Sequence, residues 1–172
     1  DIGQATLDPQ WKMAWRMVNA PGSVVDTELA EADFSLEGAQ LSHSDLRGMV
    51  LTEIPLEGAD FSSSELAEAQ LNQTNLQGSS FFAANLSQAN LSESNLDGAD
   101  FTMATALGTD FTGAQLDAAN FSNAELAGAQ LSQTNLRDSV FLSASLNQAN
   151  LSQSDLRNAD FAMATAVGSN FA

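Results

Sequence analysis

A large apolar residue returns at every fifth position over most of this chain. Counting in fives from Leu36 gives 28 positions that end at Phe171, and all of them are Leu or Phe except Ala106 and Ala166. An α-helix buries residues at intervals of about 3.6 and a strand at intervals of about 2, so a sustained interval of five fits neither element. The pattern predicts a repeat architecture in which each five-residue unit supplies one inward-facing side chain.

A second, longer period, four units in length, shows how these units are arranged. From Phe61 onward every fourth central residue is Phe, and from Leu36 onward another column, also repeating at every fourth unit, is always Leu. The Phe column is Phe61, Phe81, Phe101, Phe121, Phe141 and Phe161, and the Leu column is Leu36, Leu56, Leu76, Leu96, Leu116, Leu136 and Leu156. Side chains of one kind therefore stack at every fourth unit, which predicts coils with four sides. About seven such coils, spaced like hydrogen-bonded strands at about 4.8 Å, make a rod roughly 33 Å long.

The residues around each central position complete a motif. The residue two places before the centre is almost always small, as at Ala59, Ala69 and Thr74, and the residue directly before the centre is nearly always polar. In this the sequence resembles the pentapeptide-repeat family, whose pattern is A(D/N)LXX, and the resemblance covers residues 34–172 without a break in register. It implies an all-β fold, the right-handed quadrilateral β-helix.

The repeat region also contains a duplication. Residues 59–112 align without a gap on residues 119–172, with 33 of 54 positions identical. A block of three coils is therefore present twice. Residues 1–35 lie outside the five-residue pattern, and we expect them to form a lead-in to a repeat domain at 36–172.

The lead-in contains the signals of a short helix. Asp8-Pro9 is typical of a helix start and Ala20-Pro21-Gly22 of a helix end, which predicts a helix over about residues 10–19. Its apolar face carries Trp11, Trp15 and Val18. We expect this face to cover the first coil. A helix that binds a partner or a membrane surface is the alternative, although a single Lys and a single Arg give it little cationic surface.

The repeat departs from its own pattern at two equivalent places. Ala106 and Ala166 replace the central Leu, and the next residues, Leu107 and Val167, are apolar at a normally outward site. Other apolar residues also occupy outward sites, which predicts a protein-contact strip. The strip comprises Phe82, Met103, Leu107, Val140, Leu142, Met163 and Val167. The alternative, favoured by the volume missing at the two alanines, is that Leu107 and Val167 turn inward.

The charge of the chain limits its partners. The sequence has 22 acidic and 5 basic residues, a formal net charge of −17, which argues against direct nucleic-acid binding because phosphate contacts need a cationic surface. The family includes quinolone-resistance proteins that resemble DNA and bind DNA gyrase, so a DNA mimic is an alternative. One observation against a DNA mimic is that the acidic residues are concentrated toward one end of the chain, since residues 1–70 hold 13 of the 22. The outward sites that follow the Leu column also reverse sign along the rod; they are Glu57, Gln77, Asp97, Asp117, Arg137 and Arg157.

Nothing in the sequence predicts catalysis. His43 is the single histidine, Cys and Tyr are absent, and a filled column leaves no cleft for a substrate. Without thiolates or a calcium-loop pattern we expect neither a metal nor a cofactor. The sequence has no run of 18 apolar residues, so we expect no membrane span.

The chain ends within a coil, so its last side chains lack a covering coil. These are Phe161, Ala166 and Phe171. We expect them either to pair end to end with a second copy, giving a homodimer, or to be covered by residues outside this sequence.

We therefore predict a non-enzymatic scaffold that presents a rigid acidic and polar surface to a protein partner of unknown identity. A DNA mimic that inhibits or protects gyrase is the alternative function. The resemblance also points to cyanobacteria and plastid lumens. Asp1 is an unusual first residue, so we expect a processed protein that is exported to a periplasm or a thylakoid lumen.

Overall fold

The computed structural model describes residues 35–52 and 54–172. In these residues the backbone forms neither a helix nor an extended strand, but isolated parallel bridges at every fifth residue. Each bridge joins a residue to the equivalent residue of the next coil, as in the series Gln40, Asp60 and Ser80. The coil of four five-residue sides is therefore confirmed. The predicted helix at 10–19, with Trp11, Trp15 and Val18, lies outside the described residues.

Backbone hydrogen bonds join each coil to the coils on either side. Asp60 donates its N–H to the carbonyl of Ala39 at 2.9 Å, and its own carbonyl accepts the N–H of Leu41 at 2.7 Å. The same pair of bonds recurs along the rod, for example around Asp100 and Asn120. Neighbouring coils satisfy the hydrogen-bonding groups of the buried backbone. The chain can therefore form a stable rod without extended strands.

A tight turn forms each corner of the coil. At the first described corner the N–H of Ala39 donates to the carbonyl of Leu36 at 3.0 Å. The third residue of such turns has a positive φ, from 54° at Ala83 to 75° at Gly168. Glycine adopts this region freely, whereas a residue with a Cβ is disfavoured there by roughly 1–2 kcal/mol. The turn therefore fixes which two residues of each unit face outward.

The core is a narrow column of central side chains, most of them fully buried. The Phe rings of successive coils stack in parallel, with centroids 4.7–5.0 Å apart and planes within 4°. This spacing is close to the rise of one coil, about 4.8 Å, so the backbone register and the ring stack support each other.

The space beside Ala106 is filled differently from our expectation. Leu107 does not turn inward, since 40% of its surface is exposed. Instead Phe111, on the next side of the same coil, is fully buried, and its ring meets Phe101 edge-on at 5.6 Å and Phe121 at 5.9 Å. A Phe in a column that otherwise holds mainly Leu thus compensates for the missing Leu. The inward interpretation of Leu107 was wrong because the larger ring already occupies the volume.

The second half of the duplication repeats this arrangement. Ala166 is again followed five residues later by a ring, Phe171, which meets Phe161 at 6.1 Å with an interplanar angle of 80°. Val167 has 76% of its surface exposed, so it also faces outward. The inward interpretation of Val167 was wrong as well: Val167 occupies the same turn position as Leu107, although Phe171 is 47% exposed in the last coil.

We predict that Ala106 and Phe111 are energetically coupled. Ala106→Leu alone overfills the coil and lowers the free energy of unfolding by about 1–3 kcal/mol, and Phe111→Leu alone lowers it by about 1–3 kcal/mol by leaving a cavity. The double variant restores the Leu-centred side seen in other coils, so its loss is smaller than the sum by at least about 1 kcal/mol. Urea unfolding of the four proteins measures this coupling; additive losses contradict it.

Candidate protein-contact site

The exposed large apolar side chains of the described residues form two equivalent sets. The first triad is Phe82, Met103 and Leu107, with 41%, 56% and 40% of their surface exposed, and the second triad is Leu142, Met163 and Val167, with 39%, 81% and 76%. One further exposed large apolar residue of the described rod, Phe171, lies in the last coil. The strip predicted from the sequence is thus exposed at six of its seven residues.

Val140 contributes less to this surface. It lies in the row of bridging residues, between Asn120 and Asp160, and is half-buried. The exposed apolar surface therefore consists of the two triads without Val140.

Each triad spans two consecutive corners of two neighbouring coils. The N–H of Ala83, next to Phe82, donates to the carbonyl of Thr102 at 2.9 Å, which brings Phe82 beside the coil of Met103. The same two coils are joined further along, where the N–H of Gln88 donates to the carbonyl of Leu107 at 2.9 Å. Leu107 thus lies at the next corner, in the turn that the N–H of Thr109 closes on the carbonyl of Ala106 at 3.4 Å.

The second triad has the same backbone setting. The N–H of Ser143 donates to the carbonyl of Ala162, and that of Gln148 to the carbonyl of Val167, each at 2.9 Å. Equivalent residues of the two triads are three coils apart, so the triads are separated by roughly 14 Å along the rod. The rod therefore presents the same set of apolar residues twice, on the same two corners.

The methionines are unusual for their position in the turn. Met103 and Met163 have φ values of 61° and 60°, in the left-handed region that disfavours a side chain with a Cβ. The other described residues at this turn position are Gly, Ala, His or short and amide or acidic polar residues. Neither the core nor the turn explains a large apolar residue there.

The duplication allows the two halves to be compared site by site. The two residues after each central position give 21 outward sites in residues 59–112, and 14 of these differ from their counterparts in residues 119–172. All three sites of the triads are nevertheless apolar in both halves: Phe82 and Leu142, Met103 and Met163, Leu107 and Val167. The apolar character is thus retained where most outward sites have changed.

Many acidic side chains serve the turns of the rod. Asp60 Oδ1 accepts the backbone N–H of Ser62 at 2.9 Å, two residues further on. Asp100, Asp110 and Asp160 do the same. An Asp or Asn before the centre therefore caps the start of the turn. Part of the negative charge is a consequence of the fold.

The edge that reverses sign contains one ion pair. Arg157 donates to both carboxylate oxygens of Asp155, and this hydrogen bonding, aided by the charges of Arg157 and Arg137, lowers the pKa of Asp155 to about 2. At the other end of the rod Arg47 lowers the pKa of Asp45 in the same way. All these side chains lie at the surface, where such pairs contribute little stability.

The remaining predicted residues lie in the last coil. Phe161 stacks on Phe141 with centroids 4.7 Å apart, whereas Ala166 and Phe171 are exposed. Pairing with a second copy through these residues stays a prediction.

His43, near the other end of the rod, is exposed at a corner, with a φ of 59°.

Two other kinds of feature are absent from the described residues. In residues 35–52 and 54–172, no three His, Asp or Glu side chains lie close enough together to hold a metal ion. The described part of the chain also lacks a helix long and apolar enough to cross a membrane.

Two family models match the sequence. A model of a pentapeptide repeat region matches residues 56–131, and a model of pentapeptide repeats in eight copies matches residues 114–153 and 140–171. Together they extend over residues 56–171. No curated protein matches the chain.

Three solved structures are similar to the chain. HetL, a pentapeptide repeat protein involved in heterocyst differentiation regulation in Nostoc sp. PCC 7120, is 30% identical over 80% of this chain and 71% of its own, with a TM-score of 0.45. A pentapeptide repeat protein from the Arabidopsis thaliana thylakoid lumen is 34% identical over 60% of this chain and 68% of its own, with a TM-score of 0.48. Trypsin-treated QnrB1, a plasmid-mediated fluoroquinolone resistance protein, is 20% identical over 78% of this chain and 71% of its own, with a TM-score of 0.52, and supports the fold alone.

We predict that Arg157 controls the titration of Asp155. In the folded protein the Asp155 carboxyl titrates near pH 2, and Arg157→Gln moves its midpoint up toward 3.8. Since the folded pKa is lowered, the small stabilisation from this pair is present above pH 3.8 and is lost as the pH falls toward 2. NMR titration of the side-chain carboxyl measures the midpoint. An unchanged midpoint in Arg157→Gln contradicts the assignment.

Proposed function

Because the chain belongs to the pentapeptide-repeat family, we propose that it is a non-enzymatic scaffold whose two apolar triads bind a protein partner. The observation that carries this proposal is the apolar surface itself. Six large apolar side chains are exposed at equivalent sites of both halves, on a chain with a net charge of −17. Apolar groups concentrated in this way on a polar surface are typical of protein-contact sites.

The spacing of the triads favours a partner that touches both. Each triad alone presents little apolar area, and each side chain is already partly buried by its own coil. Two equal sites roughly 14 Å apart on a rigid rod hold one partner at two points, so the second contact forms at a high effective concentration. The rigidity of the coils keeps this spacing fixed, which lowers the entropy lost on binding.

The family also suggests finer features that we include in the proposal. We infer a right-handed coil, with residues 1–35 as a lead-in and residues 36–172 as the repeat domain. The export of the protein to a periplasm or a thylakoid lumen stays a prediction, and so does the homodimer through Phe161, Ala166 and Phe171.

A DNA mimic directed at gyrase has less support. A mimic needs carboxylates that face the solvent in a continuous negative surface, whereas Asp60, Asp100 and Asp110 accept hydrogen bonds from their own turns. The edge after the Leu column also ends in Arg137 and Arg157. The fluoroquinolone resistance protein among the similar structures shares the fold at 20% identity, which carries no function to this chain.

We predict that the double variant Phe82→Ser, Leu107→Asp loses its protein partner. Both side chains are about 40% exposed, so the change removes contact surface and adds a charge without opening the core. The free energy of unfolding should change by less than about 0.5–1 kcal/mol. Affinity capture from an extract of the source organism, quantified by mass spectrometry, compares the variant with the natural sequence.

Ala67→Asp is the matched control for this experiment. It adds the same charge in the column of Leu107, two coils away from that residue. A protein that is retained by the natural chain and by the control, but lost from the double variant, supports the proposal. A set of captured proteins that is the same for all three contradicts it.

We further predict that the protein leaves DNA gyrase unaffected. Purified chain at low micromolar concentration should not change the rate of supercoiling at any salt concentration, because its negative surface is interrupted. Inhibition that weakens as salt is raised is the signature of charge-driven mimicry and would replace the scaffold proposal with the alternative.

A further inference from the structure

We propose that Met103 and Met163 are sites of reversible oxidation to methionine sulfoxide, and that their oxidation releases the partner bound at the triads. The first part stands on the exposure and placement of the two side chains. The second part rests on the proposed function.

Both thioethers are accessible to a small oxidant. Met103 has 56% of its surface exposed and Met163 has 81%, whereas Met49 is half-buried and packs against the core. The sequence contains five methionines and no cysteine, so a thioether is the only sulfur group that a peroxide can oxidise in this protein. Exposure therefore makes Met103 and Met163 react before Met49.

The placement of the two methionines is hard to explain by stability. Each occupies a turn position with positive φ, where a Cβ is disfavoured, and each is exposed at a position that otherwise holds Gly, Ala or a polar residue. Methionine is nevertheless present at this site in both halves of the duplication, whereas 14 of 21 outward sites differ. Leu and Val serve as the apolar residue at the neighbouring triad sites, so apolar character alone does not require methionine.

The chemistry needs one equivalent of a hydroperoxide, here hydrogen peroxide. The sulfur lone pair attacks one peroxide oxygen, the O–O bond breaks, and the departing hydroxide takes up the remaining proton as water. The sulfur loses two electrons and becomes the sulfoxide, and the peroxide is reduced to water. A thiol-dependent methionine sulfoxide reductase reverses the change.

The product is incompatible with an apolar contact. A sulfoxide carries a strongly polar oxygen that accepts hydrogen bonds, and in the first triad it belongs to the same exposed surface as Phe82, on the neighbouring coil, and Leu107, at the next corner. Burying such a group against a partner without a donor is unfavourable. We expect each sulfoxide to weaken partner binding about tenfold. The fold should persist, because neither methionine belongs to the buried core.

The first experiment maps the modification and needs no partner. The full chain is treated with hydrogen peroxide for increasing times and cleaved at acidic residues, which separates Met49, Met103 and Met163 into different peptides for mass spectrometry. We expect Met103 and Met163 to be oxidised at least severalfold faster than Met49, with the urea midpoint unchanged and with full reversal by the reductases. Oxidation at equal rates, or a large loss of stability, overturns the assignment of these sites.

The second experiment tests the effect on the contact surface. Two quantities are measured before and after oxidation. The first is retention of the chain on a phenyl-substituted resin. The second is capture of the partner, identified as the protein that the double variant Phe82→Ser, Leu107→Asp fails to capture. We expect oxidation to reduce resin retention and partner capture for the natural sequence. It should reduce neither for the double variant Met103→Leu, Met163→Leu, because leucine is apolar and peroxide does not oxidise it. Met103→Gln, Met163→Gln should show the reduced binding without any oxidant.

The two proposals fail in different ways. If the unoxidised chain captures no triad-dependent partner, the proposed function is wrong, while the peptide map still decides whether the two methionines are the oxidation sites. If a partner is captured equally by the oxidised and unoxidised chains, the release by oxidation is wrong and the contact site stands.

Discussion

Hydrogen bonds between successive coils are the constraint on which the rest of this structure depends. From Ser80 onward each fifth residue is bonded through both its N–H and its carbonyl to the coil before it, in a register of four units per coil that is kept along the described rod. A shift by one residue would send every central Leu or Phe outward and every polar residue inward. The strict five-residue period of the sequence is the consequence of this register, since insertions within a side of the coil would break the bonds on both faces.

The register assigns each residue of the unit a role. The central side chain and the small residue two places before it fill the column, and the polar residue before the centre caps the turn, as Asp60 does for Ser62. The turn itself needs a residue at positive φ. Only the two turn residues of each unit are therefore free to vary with little effect on stability. A binding surface on such a rod has to be built from these positions, which is where the six triad residues lie.

The acidic composition has two origins in this arrangement. Several aspartates are explained by the turns they cap, whereas the glutamates at outward sites, such as Glu57 and Glu93, have no such role and increase the net charge. A high net charge opposes association between flat polar rods. It leaves apolar side chains at the corners as the places where attraction outweighs repulsion. The net charge thus disfavours contacts along the polar sides of the rod, and the triads favour contacts at the corners.

The sequence by itself determined the coil length, the four sides and the buried columns, because a steric period is a local property repeated along the chain. It also placed Leu107 and Val167 at outward sites. Only the tertiary structure decided that they stay exposed, because that outcome depends on how volume is shared across one closed coil. Phe111, five residues further on, fills the space beside Ala106, and its edge-on contacts with Phe101 and Phe121 join neighbouring coils. In the same way, only the structure showed which carboxylates accept a hydrogen bond from a backbone N–H group, since that depends on the geometry of the turn.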